Sequence, residues 1–283
     1  MAGLLSIVAT PIGNLGDMTE RARSVLAQAD AVLAEDTRVT GRLLAACGIQ
    51  ARLERCDENV IAKRAAGLVE RMLAGQRLAF CSDAGMPGIS DPGLVLVDAA
   101  RDAGIAVEVL PGASALTAAV AAAGFPCSAV YFGGFLPRKQ HARRELLNSL
   151  AALDAALVFF ESPHRAASSA ADIAAVLPSR RVALCRELTK LHEEVLRLPA
   201  GELAEQLAAR EGLKGELVLV VEPPHAQQEG TPVDEAALAQ RIDEGLAAGT
   251  PASALAKELA AEFGLPRNAA YEAVLAARNP EER

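Results

Sequence analysis

Residues 82–93 read Ser82-Asp83-Ala84-Gly85-Met86-Pro87-Gly88-Ile89-Ser90-Asp91-Pro92-Gly93, and the prediction of the fold starts from them. The preceding residues 77–81 form a short, mostly apolar run that predicts a buried strand, and residues 94–103 have helical spacing. The stretch is therefore a strand-to-helix loop, in which glycines allow positive φ angles and the Ser and Asp side chains supply hydrogen-bond acceptors. Ligands bind at the carboxyl ends of strands in open α/β sheets, so we expect a ligand loop; the alternative is a tight turn with two helix caps.

The same alternation of apolar runs and helical patterns extends over residues 4–124. The predicted strands are 4–10, 31–35, 52–56, 77–82 and 106–110. The predicted helices are 19–29, 39–47, 59–74, 94–103 and 114–123, the last of which ends at Gly124. Strands that alternate with helices predict an α/β sheet that is at least partly parallel.

The second half of the chain predicts another α/β unit. Its strands are expected at 129–135, 156–160, 181–186, 194–198 and 216–221. The segment between Arg186 and Glu194 is too short for a helix, which predicts an antiparallel pair and a mixed sheet. We therefore expect two α/β domains, 1–124 and 125–224, with a cofactor cleft between them.

The last residues predict a small helical module at 233–283, which follows a polar linker at 225–232. Helices are expected at 235–247, 252–263 and 267–277, with a breaker at 264–266, and the second and third have the spacing of a helix-turn-helix. From residue 231 onward, five Lys or Arg stand against nine Asp or Glu, which disfavours nucleic-acid reading. A packing or dimer-supporting module is the favoured interpretation, and a substrate-guiding role is the alternative.

Composition limits the class of protein. The net charge of −8 over 283 residues disfavours bulk attraction to nucleic acid, so any RNA contact is expected to be local. No apolar run reaches the roughly 18 residues of a membrane span, and residues 1–12 lack the pattern of a secretion signal, so we expect a cytoplasmic protein with no membrane partner. The five cysteines, an odd number without Cys-x-x-Cys spacing, predict reduced residues in or near the core and no metal site.

Residues 10–17 and 35–36 imitate a dinucleotide site. They follow the first two predicted strands about 20 residues apart, as a phosphate loop and a ribose-binding acid would. The loop nevertheless lacks Gly-x-Gly-x-x-Gly spacing, Pro11 removes an amide donor, and no P-loop Gly-Lys-Ser/Thr occurs. The sequence therefore disfavours both dinucleotide and nucleoside triphosphate binding.

The chain resembles the ribosomal-RNA branch of the tetrapyrrole (corrin/porphyrin) methylase superfamily. The likeness lies in blocks that follow the family order, at residues 8–17, 35–38, 82–93, 110–115, 134–139, 160–165, 186–190 and 214–216. The resemblance implies S-adenosylmethionine, folded into the cleft between the domains, and a homodimer. It implies cofactor contacts from Pro11, Ser82, Asp83, Ala84, Gly85, Ser114, Ala115, Phe160, Glu161, Leu188, Gly215 and Glu216.

A basic group lies beside the first strand of the second half. Residues 137–144 contain Arg138, Lys139, Arg143 and Arg144. Because the group follows a strand end, we interpret it as a clamp for RNA phosphates, the alternative being a solvated helix start.

Candidates for the catalytic role are Glu187 and Lys190. They lie three residues apart at the expected hairpin, and a lysine with a lowered pKa can act as a base. Glu161 and His192 are further candidates, and a plain surface ion pair is an equal alternative for Glu187 and Lys190.

The resemblance implies an enzyme that transfers methyl from S-adenosylmethionine to the ribose 2'-hydroxyl of a cytidine, position 1402 in the usual numbering, in the decoding region of 16S rRNA. Its partner is then 16S rRNA or the 30S subunit. A tetrapyrrole or precorrin methylase of the same fold, and a non-catalytic ribosome-assembly factor that binds RNA, stay as alternatives.

Overall fold

The structure is a computed structural model that describes residues 3–224, 235–263, 265 and 267–278. The described residues fall into two units, one within residues 1–224 and the other within residues 225–283. The expected linker at 225–232, and Gly264 and Pro266 of the expected breaker, lie outside the described residues. Within the described parts of the chain, no helix is both long and apolar enough to cross a membrane.

The first sheet has five strands, all parallel, in the order β3-β2-β4-β1-β5. The strands are β1 (Leu4–Val8), β2 (Ala31–Ala34), β3 (Leu53–Arg55), β4 (Arg77–Cys81) and β5 (Ala106–Leu110). The connecting helices are α1 (Glu20–Gln28), α2 (Thr37–Ala46), α3 (Glu58–Leu73) and α4 (Gly93–Asp102), and α5 (Ala115–Ala123) follows β5. The predicted elements are confirmed, with ends that move by one or two residues.

The second sheet is mixed, as predicted. Its order is β6-β7-β10-β8-β9, in which β6 and β7 are parallel and the other neighbours antiparallel. The strands are β6 (Val130–Phe135), β7 (Ala156–Glu161), β8 (Arg181–Arg186), β9 (Glu194–Pro199) and β10 (Leu217–Val221). Three helices that the sequence analysis left unassigned complete this half: α6 (Gln140–Ser149), α7 (Ala166–Val176) and α8 (Ala200–Ala208).

Central strands are buried on both faces, which explains their continuous apolar runs. Every residue of β2 is buried, and four of the five residues of β4 are buried. In the second sheet β10 is buried throughout. The edge strand β5 is buried only at Leu110, because one of its sides has no neighbouring strand.

Helix α5 packs against the second sheet, although it directly follows the last strand of the first. Its Ala119 and Ala123 lie in one apolar cluster with Val158, Ala183 and Val220. Small side chains allow a helix to lie close to a sheet, so α5 ties the two halves together. The boundary at residue 124 stays a prediction.

The second unit contains α9 (Glu235–Ala247), α10 (Ala252–Glu262) and α11 (Arg267–Arg278). A small apolar core joins them, in which Ile242 of α9 meets Leu255 and Leu259 of α10 and Val274 of α11. The helical character of this segment is confirmed, and its role stays a prediction.

Candidate functional site: a cleft at the carboxyl ends of the first sheet

A cavity of about 430 Å³ lies where the carboxyl-end loops of the first sheet face the second half of the same unit. This volume falls within the range of small-molecule sites, roughly 300–1,000 Å³. We call this cavity the donor cleft. Its lining residues are Ile12, Glu35, Ser82, Asp83, Ala84, Gly85, Met86, Ile89, Ser90, Asp91, Ser114, Ala115, Phe135, Phe160, Glu161, Ser162, Pro163, Gly215, Glu216, Leu217 and Val218.

Backbone hydrogen bonds and one carboxylate shape the loop after β4. Asp91 accepts hydrogen bonds from the amides of Gly88 and Gly93, both at 2.8 Å, which closes the second turn of the loop. Gly85 exchanges two backbone hydrogen bonds with Thr10, at 2.9 and 3.1 Å, and has a φ of 82° that favours glycine. These bonds join the loops that follow β1 and β4 and form one side of the donor cleft.

Acidic side chains line one end of the donor cleft. Asp83 Oδ1 accepts a hydrogen bond from the Asp36 amide at 3.0 Å, which joins the ends of β4 and β2. Burial raises the pKa of Glu35, and the negative charges of Asp83 and Asp91 raise it further. This environment disfavours an added negative charge and favours a cationic ligand.

Glu35 enters the site although the sequence analysis treated it only as a misleading dinucleotide signal. The signal that would have found it is its position directly after β2, because β2 neighbours β4 in the sheet. The sequence analysis also did not assign Ile12, Met86, Ile89, Phe135, Ser162, Pro163, Leu217 and Val218 to the site.

The second half contributes aromatic side chains and a tightly bonded carboxylate. Phe160 packs edge-on against Phe132 and Phe135, with ring centres 4.9 and 5.8 Å apart, and Phe135 is 56% exposed. Glu161 is buried, and its carboxylate accepts hydrogen bonds from the Ser162 amide at 2.7 Å and the Ser169 hydroxyl at 2.5 Å. Glu161 is therefore held by the protein itself, which disfavours the role of a catalytic base.

The cofactor contacts expected from the resemblance line the donor cleft with two exceptions, Pro11 and Leu188. The neighbouring Ile12 lines the cleft, whereas Pro11 does not. Leu188 is buried in the apolar cluster that also contains Ile12, so it supports the wall from behind. The remaining expected residues are brought together in one cavity from six separate segments of the sequence.

Glu187 and Lys190 form an ion pair at the β8–β9 turn. Lys190 Nζ donates hydrogen bonds to Glu187 at 2.7 Å and to Glu216 at 3.2 Å. Gly215 allows this approach, because a Cβ atom there would lie 2.5 Å from the Glu187 side chain.

The expectation of a lowered lysine pKa is wrong. Partial burial acts to lower the pKa of Lys190, but its hydrogen bonds to Glu187 and Glu216 outweigh burial and raise it. The hydrogen bond from Lys190 lowers the pKa of Glu187. Both groups therefore stay charged near neutral pH, and Lys190 holds its proton instead of accepting one.

The basic group at 137–144 is divided by burial. Arg143 is only 3% exposed, and its Nε donates to Asp172 at 2.7 Å, so the expectation of a phosphate contact from Arg143 is corrected. Arg144 Nε also donates to Asp172, at 2.6 Å, but this arginine is half exposed. Arg138 and Lys139 are exposed, so three of the four predicted cations stay available to solvent.

Comparison with known proteins places this architecture. The model of the family Tetrapyrrole (Corrin/Porphyrin) Methylases matches residues 4–204, which include both sheets except β10. The chain belongs to this family. The methylase assignment and the fold expected from the resemblance are thereby confirmed, and the chain is a methyltransferase.

Two relatives match almost the whole chain, and both are named Ribosomal RNA small subunit methyltransferase I. The protein of Escherichia coli O157:H7 is 45% identical, over 96% of this chain and 95% of its own length. That of Xylella fastidiosa (strain Temecula1 / ATCC 700964) is 43% identical, over 95% of this chain and 98% of its own length. The crystal structure of the methyltransferase CobJ shares the methylase fold with a TM-score of 0.60 at 20% identity, over 81% of this chain and 97% of that one.

Proposed function

We propose that this methyltransferase uses S-adenosylmethionine to methylate the ribose 2'-hydroxyl of a cytidine in 16S rRNA, at position 1402 in the usual numbering. The observation that carries the proposal is the near full-length similarity to the two relatives whose names include small-subunit ribosomal RNA. The similarity extends beyond the 4–204 match of the methylase family into the second unit. A tetrapyrrole substrate is therefore the less favoured alternative.

The donor cleft fits the proposed cofactor by charge and by surface type. S-adenosylmethionine supplies a methyl group on a positively charged sulfur, which leaves as a neutral thioether. Asp83 and Glu35 place negative charge in the cleft, which favours a sulfonium and an ammonium group. Phe160 and Ile12 offer apolar surface for a purine, and Ser82 and Ser114 offer hydroxyl groups.

Methyl transfer to a ribose hydroxyl mainly requires alignment of the two reacting groups and removal of one proton. We propose Glu187 and Lys190 as positioning residues, since their ion pair holds the β8–β9 turn beside the loop at residues 12–14. The homodimer and the cytoplasmic location implied by the resemblance stay predictions.

The proposed function predicts transfer of labelled methyl from S-adenosylmethionine to small ribosomal subunits that lack their own modification. We expect the label on the ribose of one cytidine, mapped by nuclease digestion and mass spectrometry, and none on free precorrin. A protein that binds the cofactor but labels precorrin alone would establish the tetrapyrrole alternative. A protein that binds RNA but neither binds the cofactor nor transfers methyl would establish the assembly-factor alternative.

Reversing the two exposed charges at Arg138 and Lys139, to Glu in both cases, is expected to weaken subunit binding at least tenfold at about 0.1 M salt. If both side chains contact phosphates, the slope of log K against log salt should fall by about 0.7–0.9 per contact, measured by filter binding. Cofactor affinity should not change.

The matched control reverses Arg42 and Lys63, which are exposed on α2 and α3. It applies the same change of net charge at another place. Equal weakening by both double variants would mean that overall charge acts, and the phosphate clamp would be rejected.

A further inference from the structure

A second cavity, of about 450 Å³, adjoins the donor cleft. Ile12 and Ser114 line both cavities, so only their side chains and backbone separate the two spaces. The rest of the wall of the second cavity comes from Asp17, residues 112–113, Thr117 and Ala118 of α5, and Thr189 from the β8–β9 turn. Both halves of the first unit therefore contribute to it, as they do to the donor cleft.

Thr189 is the unusual residue of this second cavity. Its hydroxyl oxygen is buried, and no hydrogen-bond partner for it lies among the described residues. A buried hydroxyl without a partner costs about 1–3 kcal/mol, so native structures rarely keep one without a use.

The backbone at Thr189 is strained as well. Glu187 and Thr189 have φ angles of 50° and 67°, a region that residues other than glycine seldom occupy. The strain is held by the hydrogen bond from the Thr189 amide to Glu193, at 2.6 Å, and by the Glu187–Lys190 pair. Such strain is typical of sites where a side chain must point in one direction.

The wall of the second cavity combines groups that suit a nucleoside. A threonine hydroxyl both donates and accepts a hydrogen bond, which matches a ribose hydroxyl. The exposed carboxylate of Asp17 can accept a hydrogen bond from the exocyclic amino group of cytosine. Ile12, Ala113 and Ala118 supply apolar surface for the faces of the sugar and base.

We infer that the second cavity binds the acceptor nucleoside, with the Thr189 hydroxyl bonded to its ribose and Asp17 at the edge of its base. This inference rests on the proposed function, because it requires a nucleoside as the methyl acceptor. It explains why an unpartnered hydroxyl is held in a strained turn directly beside the donor cleft. Thr189 is thereby a residue that touches the substrate, and the Glu187–Lys190 pair positions it.

The test replaces Thr189→Val and, as the matched variant, Thr189→Ser. Valine keeps the β-branched shape and the backbone preference of threonine but removes the hydroxyl, whereas serine keeps the hydroxyl. We expect Thr189→Val to lower kcat/KM for small ribosomal subunits about 10-fold to 100-fold and Thr189→Ser to stay within about threefold of wild type. Cofactor affinity by calorimetry and the melting temperature should match wild type in both.

A second pair of variants tests the cavity without touching the turn. Thr117→Phe places a ring in the second cavity from the exposed face of α5, and Ala121→Phe adds the same ring elsewhere on that helix. We expect Thr117→Phe to weaken subunit binding in the presence of S-adenosylhomocysteine at least tenfold and Ala121→Phe to leave it unchanged.

Full activity of both Thr189→Val and Thr117→Phe, with wild type active on subunits, would overturn the inference and leave the proposed function standing. Loss of cofactor binding in Thr189→Val equal to its loss of activity would also overturn it, since the hydroxyl would then belong to the donor cleft. A wild-type protein that binds the cofactor but labels no subunit RNA would reject the proposed function and this inference together.

Discussion

Asp83→Ala is expected to weaken S-adenosylmethionine binding about 100-fold and to reduce methyl transfer correspondingly. The substitution removes negative charge from the donor cleft, and hydrogen bonds to charged groups contribute about 1.5–3 kcal/mol each. It also removes the 3.0 Å bond to the Asp36 amide, so the loops after β2 and β4 lose a direct connection. Titration calorimetry with the cofactor measures the first effect, and labelled methyl transfer the second.

Asp83→Asn separates these two causes. The amide oxygen of asparagine can still accept the hydrogen bond from the Asp36 amide, but the charge is lost. We expect Asp83→Asn to retain the wild-type melting temperature and to lose most of the cofactor affinity. Asp102→Ala, which removes an exposed carboxylate at the end of α4, is the control and should bind as wild type does. Cofactor affinity of Asp83→Ala within twofold of wild type would remove Asp83 from the proposed site.

Asp172→Ala is expected to destabilise the protein by about 3–5 kcal/mol, because it leaves the buried Arg143 charge without its partner. Asp172 is fully buried on α7 and accepts hydrogen bonds from Arg143, from Arg144 at 2.6 Å and from Gln140 at 3.1 Å. These contacts join α6 to α7. Thermal and urea unfolding would measure the loss, which corresponds to a melting temperature lower by roughly 10 °C.

The effect of Asp172 should depend on pH in one direction. Burial acts to raise the pKa of Asp172, but hydrogen bonds from Arg144, Arg143 and Gln140 outweigh it and lower the pKa below the ordinary value. A carboxyl whose pKa is lowered by folding stabilises the protein above its unfolded pKa, near 3.9, and loses that effect as pH falls through the folded pKa. The difference between wild type and Asp172→Ala should therefore be constant near neutral pH and shrink in acid.

Two controls belong with this measurement. Asp154→Ala removes an exposed carboxylate after α6 and should change the free energy of unfolding by less than about 0.5 kcal/mol. Arg144→Ala removes a half-exposed partner and should cost about 1 kcal/mol, because Arg143 still neutralises Asp172. A loss below about 1 kcal/mol for Asp172→Ala would mean that water or a rearranged side chain compensates Arg143, contrary to the buried ion pair.

The basic group shows where sequence reasoning reached its limit. Residues 137–144 contain four cations, and nothing in their order distinguishes Arg143 from its neighbours. The difference arises because α6 turns Arg143 towards α7, where Asp172 lies 29 residues further along the chain. A partner at such a separation has no local signature in the sequence.

Local chemistry determined the elements and the principal loop of this protein. Apolar runs, helical spacing and the turn residues at 82–93 act over a few positions, so they predicted the strands, most helices and the loop that lines the donor cleft. Only the tertiary structure decided that α5 packs on the second sheet, that Glu35 joins the cleft, that Lys190 retains its proton and that the Thr189 hydroxyl has no partner among the described residues. Each of these outcomes depends on which distant segments meet, because burial and charge neighbours act through space.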